Sequence, residues 1–274
     1  MSHPVLERLA SPDPETRRQA CGDAAGDPSA VLLADALGVA LGDPDPGVAR
    51  AASDALAAIG RSGADLGGVL RAALRSGSRE RRLRAALTSA RLEAPDVGLL
   101  PALVEGLGAA AGDERWAAAR LLVEAGRRHG EVLLLLLGLA RGGENPDARR
   151  MACHTLRELA PDLPETAAAL LQASRDADPG VRRAALAALP SLQDPPPPVV
   201  ERLLAVLGGD ADPASRRIAT AGLAAHAAAA PKPLREAARR ALAAAADSGD
   251  EGLRRGAARA LARLALPTRG ASDR

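Results

Sequence analysis

The 274-residue chain contains no Phe and no Tyr, and Trp116 is its single aromatic residue. Sheets lean on aromatic and β-branched side chains, so the shortage disfavours a β fold before any pattern is read. Lysine is almost as scarce. Of 36 basic residues only Lys232 is a lysine, set between Pro231 and Pro233, which excludes a Gly-Lys-Ser/Thr phosphate loop and fits the codon bias of a GC-rich genome. Cys21 and Cys153 stand far apart with no framework around them, so a reducing compartment is expected and disulfides are not. The longest apolar run, Val132 to Ala140, falls well short of the ~20 residues that span a bilayer. The opening MSHPVLERLASPD has no basic segment followed by an apolar core. Together these predict a cytoplasmic protein without a membrane partner. Charge of one sign is lacking too: 36 basic against 34 acidic residues leave +2, no global field for recruiting polyanions. Residues 1–75 carry 7 basic and 10 acidic residues, whereas residues 232–274 carry 10 and 5.

What is present is Ala, about a quarter of the chain, with Leu and Arg, the strongest helix formers. An all-α fold follows. The dominant signal is a repeat: Asp178-Pro-Gly-Val-Arg-Arg-Ala-Ala-Leu recurs as DPETRRQA from Asp13, DPGVARAASDAL from Asp45, NPDARRMACHTL from Asn145, DPASRRIATAGL from Asp212 and DEGLRRGAARAL from Asp250. The starts step by 32 from Asp13, 33 from Asn145 and 34 from Asp178, and the interval of 100 from Asp45 to Asn145 holds three more steps. Weaker copies fall at 79–87 and 112–122, where the register of residues 79–90 and 112–125 stays open.

Each copy is a helix start. Asp or Asn accepts hydrogen bonds from free N–H groups, and proline suits the first helical position. Val181, Ala184, Ala185, Ala188, Leu189 and Leu192 then form one apolar stripe. A second apolar helix precedes each copy, as in 28–41, 97–110, 131–140 and 198–207. The predicted pairs cover 4–26, 28–60, 62–94, 95–128, 129–160, 161–192, 194–228 and 230–266, read as a single domain over 1–274. One pair cannot bury its apolar face alone, whereas eight stacked pairs share a core.

On these residues the chain resembles the HEAT-repeat family in its short bacterial form, the phycobilisome-lyase HEAT-like repeat. The resemblance implies a right-handed α-solenoid of about eight helix pairs, with second helices on the concave side. It also implies a structural ladder of Asp13, Asp45, Asp178, Asp212 and Asp250 with Arg17, Arg182, Arg216 and Arg254, broken at Ala49.

No catalytic constellation is assembled. GLGAAAG at 106–112 loosely matches a dinucleotide fingerprint but closes a helix, with no strand before it. Cys153, His154 and Glu158 lie close in sequence, yet His3, His129 and His226 belong to other repeats, and zinc needs three or four ligands. No catalytic, cofactor or metal residue is therefore expected, and no enzyme. A row of second arginines remains: Arg18, Arg50, Arg150, Arg183, Arg217 and Arg255, with Arg82 and, less clearly aligned, Arg115 joining them. With Trp116 these are the candidate partner-binding residues. Guanidiniums in a row suit an acidic peptide or a phosphate backbone, or simply pair with nearby acids. The function expected is a non-enzymatic scaffold, a monomer by default, holding a protein or peptide on its concave face. One alternative is phosphate-backbone binding to nucleic acid, helped by Arg235, Arg239, Arg240, Arg259 and Arg263 but weakened by the absence of stacking aromatics. The other is a bilin-lyase-type accessory protein.

Overall fold

The computed structural model describes residues 3–265; Met1, Ser2 and residues 266–274, which the single-domain expectation includes, lie outside the described residues. Sixteen α-helices are present among the described residues, in eight pairs: α1 (Pro4–Leu9) with α2 (Pro14–Gly26), α3 (Ala30–Ala40) with α4 (Pro46–Arg61), α5 (Gly67–Leu74) with α6 (Arg79–Ser89), α7 (Leu100–Gly106) with α8 (Gly112–Gly126), α9 (Glu131–Gly142) with α10 (Pro146–Leu159), α11 (Pro164–Ala173) with α12 (Pro179–Ala188), α13 (Pro197–Gly209) with α14 (Pro213–His226), and α15 (Lys232–Ala246) with α16 (Glu251–Ala265). Short 3-10 turns at Val97–Leu99 and Leu189–Ser191 complete the list. The helices fall into two compact units, Met1–Val132 and Leu133–Arg274.

Capping explains where the second helices begin. Asp45 accepts from the Val48 N–H at 3.0 Å, Asp178 from Val181 at 2.9 Å and Asp250 from Leu253 at 2.9 Å. Asp13, Asn145 and Asp212 do the same for their helices. Proline follows five of these six caps, Asp250 being the exception. Ser78 caps α6 through the Arg81 N–H, whereas α8 starts at Ala111 with no side-chain cap. These two starts settle the register that the weak copies left open.

Within each unit the helices form two layers. In the first unit α2 packs on α4 and α4 on α6, with α1 on α3 and α3 on α5 in the other layer. In the second unit α10, α12, α14 and α16 stack in turn, backed by α11, α13 and α15. The predicted stripe from Val181 to Leu192 is buried throughout. Leu and Ala dominate the core, which spares the small stacked helices the bulk of aromatic rings.

The stacking changes between the third and fourth repeats. α6 packs on α7, but among the described residues neither α5 with α7 nor α6 with α8 forms a close pair. Leu83 of α6 is 2% exposed, and it fills the space beside Gly106 of α7. A Cβ at Gly106 would lie 2.4 Å from Leu83 Cδ1 and 3.1 Å from Ala118 Cβ of α8. The glycine run at 106–112 therefore ends α7 early and admits Leu83, which agrees with its reading as a helix end.

Candidate partner-binding surface

Counting from each N-cap separates two arginine positions. Four residues on stand Arg17, Ala49, Arg82, Arg115, Arg149, Arg182, Arg216 and Arg254. Five residues on stand Arg18, Arg50, Leu83, Trp116, Arg150, Arg183, Arg217 and Arg255. Arg82 and Arg115 thus belong to the first position, not to the row of second arginines, because their helices start from Ser78 and Ala111. Their places in that row are taken by the buried Leu83 and by Trp116.

The first position is structural. Arg149 donates through Nη1 to the carbonyls of Gly143 (2.6 Å) and Glu144 (3.1 Å), tying down the loop before its own helix. Its Nε and Nη2 fork onto Asp176 at 2.8 and 2.9 Å. Arg17 repeats the arrangement with Ser11, Pro12 and Asp43. Arg82 uses Ser76, Gly77 and Glu105. Arg115 and Arg182 keep the two loop carbonyls. The hydrogen bonds from Arg17 hold the Asp43 carboxyl below its ordinary range, and those from Arg149 do so for Asp176.

This corrects the ladder that the family resemblance implied. The aspartates receiving the first arginines are Asp43 and Asp176, two residues before the caps of the following repeats. The cap aspartates accept from the first-turn N–H groups of their own helices. Arg216 Nε is buried with no hydrogen-bond partner.

Two second-position arginines reach along the surface to the next repeat. Arg183 pairs with Asp212 at 3.1 Å and Arg217 with Asp250 at 2.8 Å. Hydrogen bonds from Arg217 hold the Asp250 carboxyl down at about 2. Arg18 and Arg150 pair inside their own helices, with Glu15 at 2.7 Å and Asp147 at 2.8 Å, while Arg255 lies 3.6 Å from Glu251. Arg18, Arg150 and Arg217 also lean over the first-turn glycine of the following second helix, Gly47, Gly180 and Gly252 respectively. The row therefore runs along the N-terminal edge of the second-helix layer in each unit.

In the first unit side chains of this layer also link helices directly. Arg50 on α4 reaches past α6 to Asp113 on α8 at 2.9 Å, and Arg84 on α6 reaches Glu114 on α8 at 3.0 Å. Trp116, one helical turn from Asp113, is 49% exposed on this helix.

The remaining candidates form no chemical site. Cys153 is buried, and desolvation pushes its thiol up to about 12, while burial lowers the pKa of His154. Among the described residues no three His, Cys, Asp or Glu side chains are placed to hold a metal ion. His226 is buried against the Leu189 carbonyl at 2.8 Å. Of the C-terminal arginines, Arg235 and Arg239 donate to the Ala228 and Leu264 carbonyls. Among the described residues no helix is long and apolar enough to cross a membrane.

A family profile described as HEAT repeats matches residues 2–94 and 100–190. The chain belongs to the HEAT-repeat family, and its fold is an α-solenoid of helix pairs. Solved structures with a similar fold include Kap95p, from work titled for its induction of the GTP-bound conformation in the switch loops of RanGDP. It shares 16% identity at a TM-score of 0.61, covering 95% of this chain and 38% of that one. Kap121p shares 13% identity at a TM-score of 0.52, covering 95% and 37%. The chain thus spans well under half the length of these two proteins. No curated protein matches the sequence.

Proposed function

We propose that the chain is a non-enzymatic scaffold that binds a protein or peptide along the N-terminal edge of its second-helix layer. The observation that carries this reading is the state of the arginine row: exposed or half-exposed, yet each member faces a carboxylate within 3.6 Å. Such a surface offers alternating donors and acceptors rather than a continuous positive field, which suits the mixed polar groups of a peptide. A phosphate backbone would have to displace every paired acid. Trp116 supplies the first unit with an aromatic contact of the kind that dominates interface energies. The likeness to Kap95p, whose printed title concerns binding to RanGDP, agrees in fold class. Cytoplasmic location, a monomeric state and the absence of any reaction of its own complete the proposal, with a bilin-lyase-type accessory role as the alternative.

The test is a displayed peptide library selected on the whole protein, with binding read by Trp116 fluorescence and calorimetry at 50 and 300 mM salt. Peptide affinity that drops at least tenfold in Trp116→Ala or in the R150E/R183E/R217E triple variant supports the scaffold. Tighter binding of a random-sequence DNA duplex, with an affinity that collapses between the two salts, overturns it in favour of phosphate-backbone contact.

A further inference from the structure

The interruption between the third and fourth repeats opens a cleft of about 620 Å³ on the opposite end of the second helices from the arginine row. It lies between α5 and the connection from α6 to α7. α5 is only 8 residues long, so it stops short of covering the next repeat. Gly63, at φ +97°, turns the chain sharply after α4 and sends Ala64, Asp65 and Leu66 along the cleft wall. The floor is apolar: Leu66 is 3% exposed, Leu70 6% and Leu99 6%.

Guanidiniums stand around this floor. Arg61, Arg71, Arg75 and Arg91 line the cleft, against the carboxylates of Asp65, Glu93 and Asp96. Their pairing is unequal. Arg91 is taken by Asp54 at 2.8 Å, whereas the Arg61, Arg71 and Arg75 guanidiniums make no hydrogen bond or ion pair among the described residues. Asp65 and Asp96 are occupied by the Gly67 and Gly98 N–H groups at 2.8 and 2.9 Å. This contrasts with the proposed scaffold surface, where every arginine of the row already has its acid.

We propose that this cleft binds a small amphipathic anion, an apolar body that covers the leucine floor and carries one carboxylate or phosphate head for the free arginines. Two features choose this class. The planar guanidinium fork matches a two-oxygen anion and gains strength beside an apolar wall. The volume matches the ~300–1,000 Å³ of small-molecule sites. The site stands apart from the scaffold surface, and its failure leaves that reading untouched.

The probe is 1-anilinonaphthalene-8-sulfonate, an apolar anion that brightens on leaving water, with uncharged N-phenyl-1-naphthylamine as its neutral counterpart. Folded wild-type protein is expected to bind the anion at one saturable site. The R61Q/R71Q/R75Q variant, unchanged in circular dichroism, is expected to lose at least tenfold in affinity for it and less than twofold for the neutral dye. Decanoate or decyl phosphate should displace the anion and decanol should not; the better of the two acids identifies the head group. As a control, R141Q/R175Q in the second unit should bind like wild type. No saturable binding to the wild type, equal binding by the triple variant, or an equal loss in the control overturns the site.

Discussion

Arg149 and Arg150 are neighbours in sequence with sharply different predicted weights. Arg149→Ala removes four hydrogen bonds, two to loop carbonyls and two to Asp176. The pair is largely out of water, with side chains 16% and 12% exposed. Hydrogen bonds to a charged group contribute about 1.5–3 kcal/mol each before relaxation, and breaking a buried ion pair costs about 3–5 kcal/mol. Residual solvent and water entry into the loop reduce this, so about 2–4 kcal/mol is expected. Arg150→Ala removes one pair with Asp147 at sites 34% and 44% exposed, worth about 0–0.5 kcal/mol. In a domain of this size about 3 kcal/mol lowers Tm by roughly 6–12 °C. Urea unfolding of the two variants followed by circular dichroism reads the difference, and Arg149→Lys should resemble Arg149→Ala, since an ammonium cannot span four acceptors. The pH dependence has a definite sign. Because Arg149 holds the Asp176 carboxyl below its unfolded value, the pair's contribution is fully present above about pH 4 and is lost as the pH falls through the lowered folded pKa. The gap between wild type and Arg149→Ala should therefore narrow in acid. Equal losses for Arg149→Ala and Arg150→Ala at pH 7, within about 0.5 kcal/mol, would refute the division into structural and surface positions.

Leu83→Ala should cost about 2–5 kcal/mol as a core cavity, and Leu83→Arg, which restores the arginine of the other repeats, should unfold the third repeat as seen by hydrogen exchange. Gly106→Ala should cost about 1–3 kcal/mol through overpacking against Leu83 and Ala118, measured by chemical denaturation; a neutral result would mean that α6 and α7 do not meet there. Asp178→Ala should lose about 1 kcal/mol as a missing helix cap, checked by the same urea series. Cys21 and Cys153 are buried, with thiols pushed up to about 11 and about 12 by desolvation, so at pH 8 an aromatic disulfide reagent should modify them only at the rate of opening. Fast labelling of folded protein would contradict their packing.

The fold was legible because its signals are local. Asp followed by proline marks a helix start, an apolar period marks the buried face, and recurrence at 32 to 34 residues implies stacking. The sixteen described helices agree with the about eight helix pairs that the resemblance implies. Two registers resisted because their starts lack the Asp-Pro signature: Ser78 is followed by Arg79, and Ala111 is no cap residue at all. Misplacing the first of these by one residue carried Arg82 into the wrong row.

The ladder was misread for a different reason. The sequence repeats Asp-x-Asp-Pro at Asp43, Asp176 and Asp210, so the second acid was visible, but the cap aspartate offered a ready partner and no local rule says which of two carboxylates faces the neighbouring repeat. In the structure Asp43 and Asp176 take the first-position fork from the repeat before, while Asp212 and Asp250 cap their own helices and also take a second-position arginine. In the third repeat Leu83 stands where most repeats have the arginine, and Arg50 crosses to Asp113 of the fourth. In the cleft beside this repeat Arg61, Arg71 and Arg75 make no hydrogen bond or ion pair among the described residues. A periodic sequence predicts its periodic contacts, and the places where the period breaks are where unpaired chemistry collects.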